Sequence, residues 1–242
     1  MEYRIEYVKD NKKVCQGIYK LSIEGKFEGK PGQFYMLRAW DKEPLLSRPI
    51  SIHSIEGNTI EFLYAVVGEG TKILSSLKKG DSIKLTGPLG NYFPVNNIKG
   101  KVALISGGIG IAPMYEVAKN LKNCQIDFYC GFRDEVYSVN EFEPFVNKIN
   151  TSTESGAKGY KGYVTDILKP ENYDIVLCCG PEVMMKKVIN MCKEKNVPSY
   201  VSMEKHMACG VGACLVCTCK TKSGNKRTCK DGPVFLGEEL EE

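Results

Sequence analysis

Apolar and polar positions change over in short runs along the first hundred residues. Strand-like runs at 15–23, 33–38 and 51–55 are separated by the turn signals Pro31-Gly32, Glu56-Gly57-Asn58 and Lys79-Gly80-Asp81. This rhythm predicts an antiparallel β-barrel or sandwich over residues 1–98. The texture changes near Asn96-Asn97-Ile98-Lys99-Gly100. Beyond it come nearly continuous apolar runs at 102–105, 126–129 and 175–178, each followed by a glycine-bearing turn and a helix-like segment. Buried parallel strands look like this. Helices are expected over 113–121 and 181–195, each beginning with a proline, which the first helical position tolerates. A parallel α/β domain is therefore expected over 99–203, closing on a last strand-like run at 198–203. Residues 204–242 form a third, cysteine-bearing segment, and Glu238-Glu239-Leu240-Glu241-Glu242 reads as a solvated tail.

Composition narrows the classes. With 242 residues, 43% apolar and 26% charged, the chain is an ordinary globular protein large enough for two domains and an appendage. A net charge of +4, spread as mixed Lys and Glu, offers no basic stripe for nucleic acid. The longest uncharged stretches are too short to cross a bilayer. The charged N-terminus has no apolar run, so no secretory signal is expected and the location reads as cytoplasmic. The eleven cysteines are an odd number and crowd toward the C-terminus. They read as metal and core thiols, not a disulfide framework.

The strongest chemical signal is Cys209-x4-Cys214-x2-Cys217 with Cys229 after it. Plant-type [2Fe-2S] sites use C-x4-C-x2-C and a distant fourth cysteine. A structural zinc site is the alternative, although zinc ribbons present two short cysteine knuckles and only Cys214/Cys217 is one. Cys219 reads as a spectator, and His206 as a residue beside the loop. A second signal is Gly107-Gly108-Ile109-Gly110-Ile111-Ala112-Pro113 at a strand end, which could seat a diphosphate on a helix N-terminus or be a plain tight turn. Cys179-Gly180-Pro181 is a second such turn, expected to face the same crevice. The third is Arg48-Pro49-Ile50-Ser51 in the barrel, where an arginine on a stiffened strand could hold a phosphate. Residues 62–65 could add an aromatic shelf, and 68–71 a turn rich in free N–H groups.

These modules in this order resemble the ferredoxin reductase-like flavoproteins. The segment from Met207 to Cys217, with Lys230-Asp231-Gly232-Pro233-Val234-Phe235 after the fourth cysteine, is similar to the electron transfer subunits of NAD-dependent (class B) dihydroorotate dehydrogenases. The likeness spans essentially the whole chain. It implies FAD bound by Arg48, Pro49, Ile50, Ser51, Leu63, Tyr64, Ala65, Gly70 and Thr71, with Ala65 standing where the family usually has an arginine. It implies NAD lined by Gly107, Gly108, Gly110, Pro113, Cys179, Gly180 and Pro181, with Gly131-Phe132-Arg133 as the next strand end. Asp134 and Glu135 would then disfavour a 2′-phosphate. The resemblance also implies a [2Fe-2S] cluster on Cys209, Cys214, Cys217 and Cys229. Cys179 would lie near nicotinamide and flavin, Glu204 at the seam beside the flavin, and His53 would pack beside the flavin motif. The implied partner is an FMN-containing catalytic subunit, two of each forming a heterotetramer in pyrimidine biosynthesis. That partner would oxidise dihydroorotate, and its electrons would run through the cluster and FAD to NAD+. The alternatives are an NAD(P)H-ferredoxin type reductase subunit with another partner, and a zinc-stabilised nucleotide-binding regulator.

Overall fold

A computed structural model describes residues 1–241; Glu242, the last residue of the expected tail, lies outside them. The first module holds β1 (Glu2–Cys15), β2 (Ile18–Glu24), β3 (Phe34–Arg38), β4 (Arg48–Ser51), β5 (Ser54–Glu56), β6 (Thr59–Ala65), the helix α1 (Glu69–Ser76) and β7 (Ser82–Leu89). The strands form one antiparallel sheet in the order β4-β3-β7-β1-β2-β6-β5, curled so that β4 returns beside β6. Alternation explains the curl's inside: along β7 every second residue, Ile83 and Leu85 among them, is buried. They meet Leu21, Ile23, Leu37, Ile60 and Phe62 in a single barrel core. Pro49 cannot donate to a ladder and stands on the end strand of the sheet.

The run at 15–23 is not one strand. It is a tight hairpin, with Gly17 at φ +74° between β1 and β2. The run at 51–55 is likewise broken, ending β4 at Ser51 and starting β5 at Ser54, with His53 buried in the step between them.

The second module contains β8 (Gly100–Gly107), α2 (Ile111–Asn120), β9 (Cys124–Phe132), β10 (Lys148–Thr153), β11 (Tyr160–Lys161), β12 (Ile175–Cys179), α3 (Glu182–Glu194) and β13 (Ser199–Ser202). Beyond it lie the hairpin of β14 (Thr218–Thr221) and β15 (Gly224–Arg227), and then β16 (Val234–Leu236). The sheet order is β11-β10-β9-β8-β12-β13-β16, parallel except at the β13–β16 pair. One face is covered by α2, the other by α3, whose Met185, Val188, Ile189 and Cys192 form the buried stripe of a helix. Both helices start differently from the proline rule. α2 begins at Ile111, so Pro113 is its third residue, while Pro181 is the residue before α3. Both positions lie where a missing N–H costs nothing, because the first turn's donors have no intrahelical partner. The tail is not merely solvated either: Leu240 is buried and bridges Thr221. Among the described residues no helix is long and apolar enough to cross a membrane.

Strand order reverses between β8 and β12, and ligands of open α/β sheets bind outside the strand ends at such a reversal. The first module is sewn to this edge along α2 and at the turn holding Glu141. Ile55 N–H donates to Glu116 (3.3 Å), Lys119 donates to the Ile55 carbonyl (3.0 Å), and Lys20 pairs with Glu141. Burial alone would raise the Glu141 carboxyl, but His53 and Lys20 outweigh it and hold the carboxyl at about 2. Its contribution to stability is therefore complete above the ordinary carboxylate range and is lost as pH falls toward 2. The thermal midpoint of the native chain should exceed that of Glu141→Gln at pH 6, with the gap closing as pH is lowered to about 3. A gap independent of pH would contradict this seam.

Candidate functional site

Two of the three candidate surfaces meet at strand β3, which pairs with β4 and packs Phe34 and Met36 against Cys217 and Cys229. On its outer neighbour β4, all four residues Arg48, Pro49, Ile50 and Ser51 are half-buried, as befits an edge strand facing a cleft. The Arg48 guanidinium lies 5.5 Å over the Trp40 ring. It also abuts the start of α1 so tightly that a Cβ on Gly70 would fall 2.6 Å from Arg48 Nε. A side chain there would displace the guanidinium or the Trp40 ring. Thr71 Oγ1 accepts from the N–H groups of Val67 (3.0 Å) and Gly68 (3.1 Å) and so braces the turn. This leaves first-turn N–H groups beside a guanidinium, an arrangement suited to a diphosphate.

The aromatic shelf expected at 62–65 is absent. Phe62 and Tyr64 are sealed inside the barrel, with Tyr64 stacked on Tyr19 at 6.2 Å. Alternation along β6 turns Leu63 and Ala65 the other way, toward the core shared with α2. Those two side chains, and not the Tyr64 ring, face the second module.

At the strand reversal the two glycine turns touch backbone to backbone. A Cβ on Gly110 would run into the Cys179 carbonyl, and one on Gly180 would sit 2.9 Å from the Gly107 nitrogen. Gly107, Gly108 and Gly110 thus form one wall with Cys179, Gly180 and Pro181, ahead of the α2 N-terminus. Pro113 is buried in the first turn of that helix. The Cys179 thiol is under this floor, fully buried and close to Ser202. Burial, then the Glu204 carboxylate, pushes it well above the usual thiol range, so it stays protonated. Cys178 points to the opposite face, among Met185, Val188 and Cys192. Glu204 has open surface on one side, but the protein crowding its other sides raises its carboxyl. Glu135 does not stay at the crevice rim: it reaches Cys15 of β1, leaving Asp134 exposed beyond Arg133.

The four cysteines fall into two pairs. Cys209 Sγ accepts from the backbone N–H groups of Val211 and Cys214, each at 3.4 Å, and lies by the Cys214 thiol. Burial would raise Cys209, but these donors prevail and lower it to about 6. Cys217 Sγ accepts from Cys229 N–H at 3.4 Å. Burial, then the Cys217 thiol, pushes Cys229 up to about 12. The Cys217/Cys229 pair is buried on Phe34, Met36 and Leu89 of the barrel, whereas Cys214 is exposed. Among the described residues no three His, Cys, Asp or Glu side chains gather round one point as a single ion would need. Two thiols for each of two irons is the donor set of a [2Fe-2S] cluster, whereas tetrahedral zinc takes four donors round one ion. Cys219 packs on the far side with Phe235 and Leu240, and His206 is exposed.

Sequence reasoning missed the brace on this loop. Arg227 forks onto Asp231 through Nε (2.8 Å) and Nη2 (2.9 Å), and reaches the Gly212 carbonyl at 3.4 Å. It ties the strand before Cys229 to the loop between Cys209 and Cys214. An Arg followed four residues later by an Asp across the fourth cysteine was the available signal.

Comparison with known proteins gives concordant results. Residues 204–241 match the iron-sulfur cluster binding domain of dihydroorotate dehydrogenase B. The chain is 64% identical over 239 residues to the electron transfer subunit of dihydroorotate dehydrogenase B (NAD(+)) from Clostridium acetobutylicum, covering 99% of this chain and 97% of the relative. The corresponding subunit from Clostridium perfringens is 55% identical, covering 100% and 99%. Among solved structures, one chain of the NADH-dependent reduced ferredoxin-NADP oxidoreductase superposes with a TM-score of 0.88 at 31% identity, covering 98% of this chain and 90% of that one. The ferredoxin reductase of carbazole 1,9a-dioxygenase shares the fold at a TM-score of 0.67 and 17% identity, covering 81% and 67%.

The contact between the two glycine turns is directly testable. Gly110→Ala should cost about 2 kcal/mol or more in urea unfolding, because its methyl meets rigid backbone. A loss below about 0.5 kcal/mol would mean that the turns do not touch.

Proposed function

The chain belongs to the family of electron transfer subunits of NAD-dependent dihydroorotate dehydrogenase B, and from that premise we propose how its parts divide the work. Electrons taken from dihydroorotate by a catalytic partner subunit enter at the cysteine loop and leave as a hydride on NAD+, in pyrimidine biosynthesis. The partner carries FMN, and two copies of each subunit form a heterotetramer. Bound FAD supplies the exchange between single electrons from a [2Fe-2S] cluster and a hydride for NAD.

The chain's own residues provide the places. Residues 1–98 hold FAD. Arg48 and the N–H groups at Gly70 and Thr71 take its diphosphate, while Pro49, Ile50 and Ser51 lie along the ring, and Leu63 and Ala65 close the cleft. Tyr64 contributes through its backbone, since its ring is inside the barrel. Residues 99–203 hold NAD against the paired turns. The segment from 204 onward holds the cluster on Cys209, Cys214, Cys217 and Cys229.

The observation that carries this reading is the position of Met36. Its side chain packs on the cysteine loop, with a Cβ on Gly210 falling 2.9 Å from Met36 Cγ, while its backbone pairs with Pro49 on β4. One strand therefore separates the cluster loop from the flavin strand, and neighbouring strands lie only about 4.8 Å apart. The loop also has a direction. Its buried pair, Cys217 and Cys229, faces the barrel. Cys214 faces outward among the exposed Val211, Leu215 and Val216, an apolar rim that suits a protein partner.

Two experiments test the division of labour. Cys214→Ser should lose the visible absorption of the cluster yet keep reduction of FAD by NADH; loss of both would show that the modules are not separable. Dihydroorotate-dependent NAD+ reduction should require the FMN subunit, and Leu215→Asp should weaken that complex by about tenfold or more. NAD+ reduction by the isolated chain with dihydroorotate would overturn the proposal.

A further inference from the structure

The two cofactor cradles belong to different modules, and hydride transfer needs the reacting atoms about 3–3.5 Å apart. Something in the seam must set that separation. His53 stands two residues after Ser51, fully buried, with its backbone N–H donated to Glu61 of β6 at 2.9 Å. Its ring leaves the barrel and enters the second module. Nδ1 lies 2.8 Å from the carbonyl of Ala112, the second residue of α2 and the neighbour of Pro113. A carbonyl only accepts, so Nδ1 carries the proton of this bond. The imidazole stacks on Tyr115 at 4.8 Å, and Nε2 is 3.5 Å from the Glu141 carboxylate that also pairs with Lys20. Tyr115 is itself wedged edge-on against Phe142 and Phe145. Other polar ties along α2, from Ile55 N–H to Glu116 and from Lys119 to the Ile55 carbonyl and to Ser54 Oγ, are made further down the helix.

We propose that His53 is a positioning residue which, through the hydrogen bond from Nδ1 to the Ala112 carbonyl, fixes the flavin strand against the nucleotide turn at the distance hydride transfer requires. This rests on the placing of FAD on β4 and of NAD at the 107–113 turn. The bond joins the end of one cradle to the first turn of the other, while the lower ties hold the rest of the helix. Loss of the bond lets the first turn of α2 move without opening the seam.

The test uses the full chain loaded with FAD and cluster. His53→Phe keeps a ring on Tyr115 and removes both polar contacts, whereas His53→Asn returns an amide N–H near the Nδ1 position. In anaerobic single-turnover reduction by NADH, His53→Phe should lower the limiting rate about 10- to 100-fold, while the NADH dissociation constant changes less than about threefold. His53→Asn should recover most of the rate. In the nucleotide-free chain, amide exchange across the first turn of α2 should quicken in His53→Phe and not in His53→Asn. Should the phenylalanine variant fail to fold, His53→Gln, whose amide lies near the Nε2 position and removes the donor to the Ala112 carbonyl, carries the same comparison. A limiting rate within about twofold of native in the variant lacking the bond, or an asparagine variant as slow as the phenylalanine one, would overturn the inference. Failure of NADH to reduce FAD in the native chain would instead overturn the functional reading on which it rests.

Discussion

The packing of the cysteine loop on β3 is the contact on which the other arrangements depend. Met36 is shared: its side chain supports the loop, and its backbone holds the strand that begins with Arg48. Because strand spacing is fixed by hydrogen bonding, this contact sets how far the loop stands from β4, the strand proposed to hold the flavin. Gly210 makes the approach possible, as a side chain there would strike Met36 and Leu89. β16, emerging after Cys229, then pairs with β13 of the second sheet. The cysteine segment is thereby anchored to both larger modules.

The two thiol pairs differ in surroundings. Cys209 is stabilised as an anion by backbone donors at the loop's open side, while Cys229 is crowded by a second thiol in an apolar setting. On the proposed ligand set, iron binding would displace the protons that these thiols still carry, that of Cys229 above all, so the affinity of the loop for iron would rise with pH. The Arg227–Asp231 fork keeps that inner pair in place without occupying either sulfur. The outer pair remains open to a partner.

Much of this was legible in the sequence because it is local. A strand, a glycine turn and a helix lie within a dozen residues of one another, and the spacing of Cys209, Cys214 and Cys217 is itself the shape of a loop. What depended on tertiary pairing was not legible. The hairpin at Gly17 interrupts an otherwise strand-like run, in which that one glycine is the local mark of the turn. The inward turn of Phe62 and Tyr64 is set by the register of β6 against β2, where Tyr19 opposes Tyr64. Along β1, the alternating Tyr3, Ile5 and Tyr7 point outward, against the usual rule. The reach of Glu135 to Cys15 and of His53 to Ala112 crosses modules far apart in the chain. No pattern within either segment encodes such a contact.

Flavin and cluster, placed as proposed, form a connected pair within this one chain, joined across β3. Anaerobic stopped-flow mixing of the isolated, fully loaded chain with NADH, followed at flavin and cluster wavelengths, tests it directly. Flavin bleaching should come first and cluster reduction after it, and the cluster should stay oxidised once FAD has been removed. A cluster that remains oxidised in the fully loaded chain, or one reduced by NADH without FAD, would contradict it.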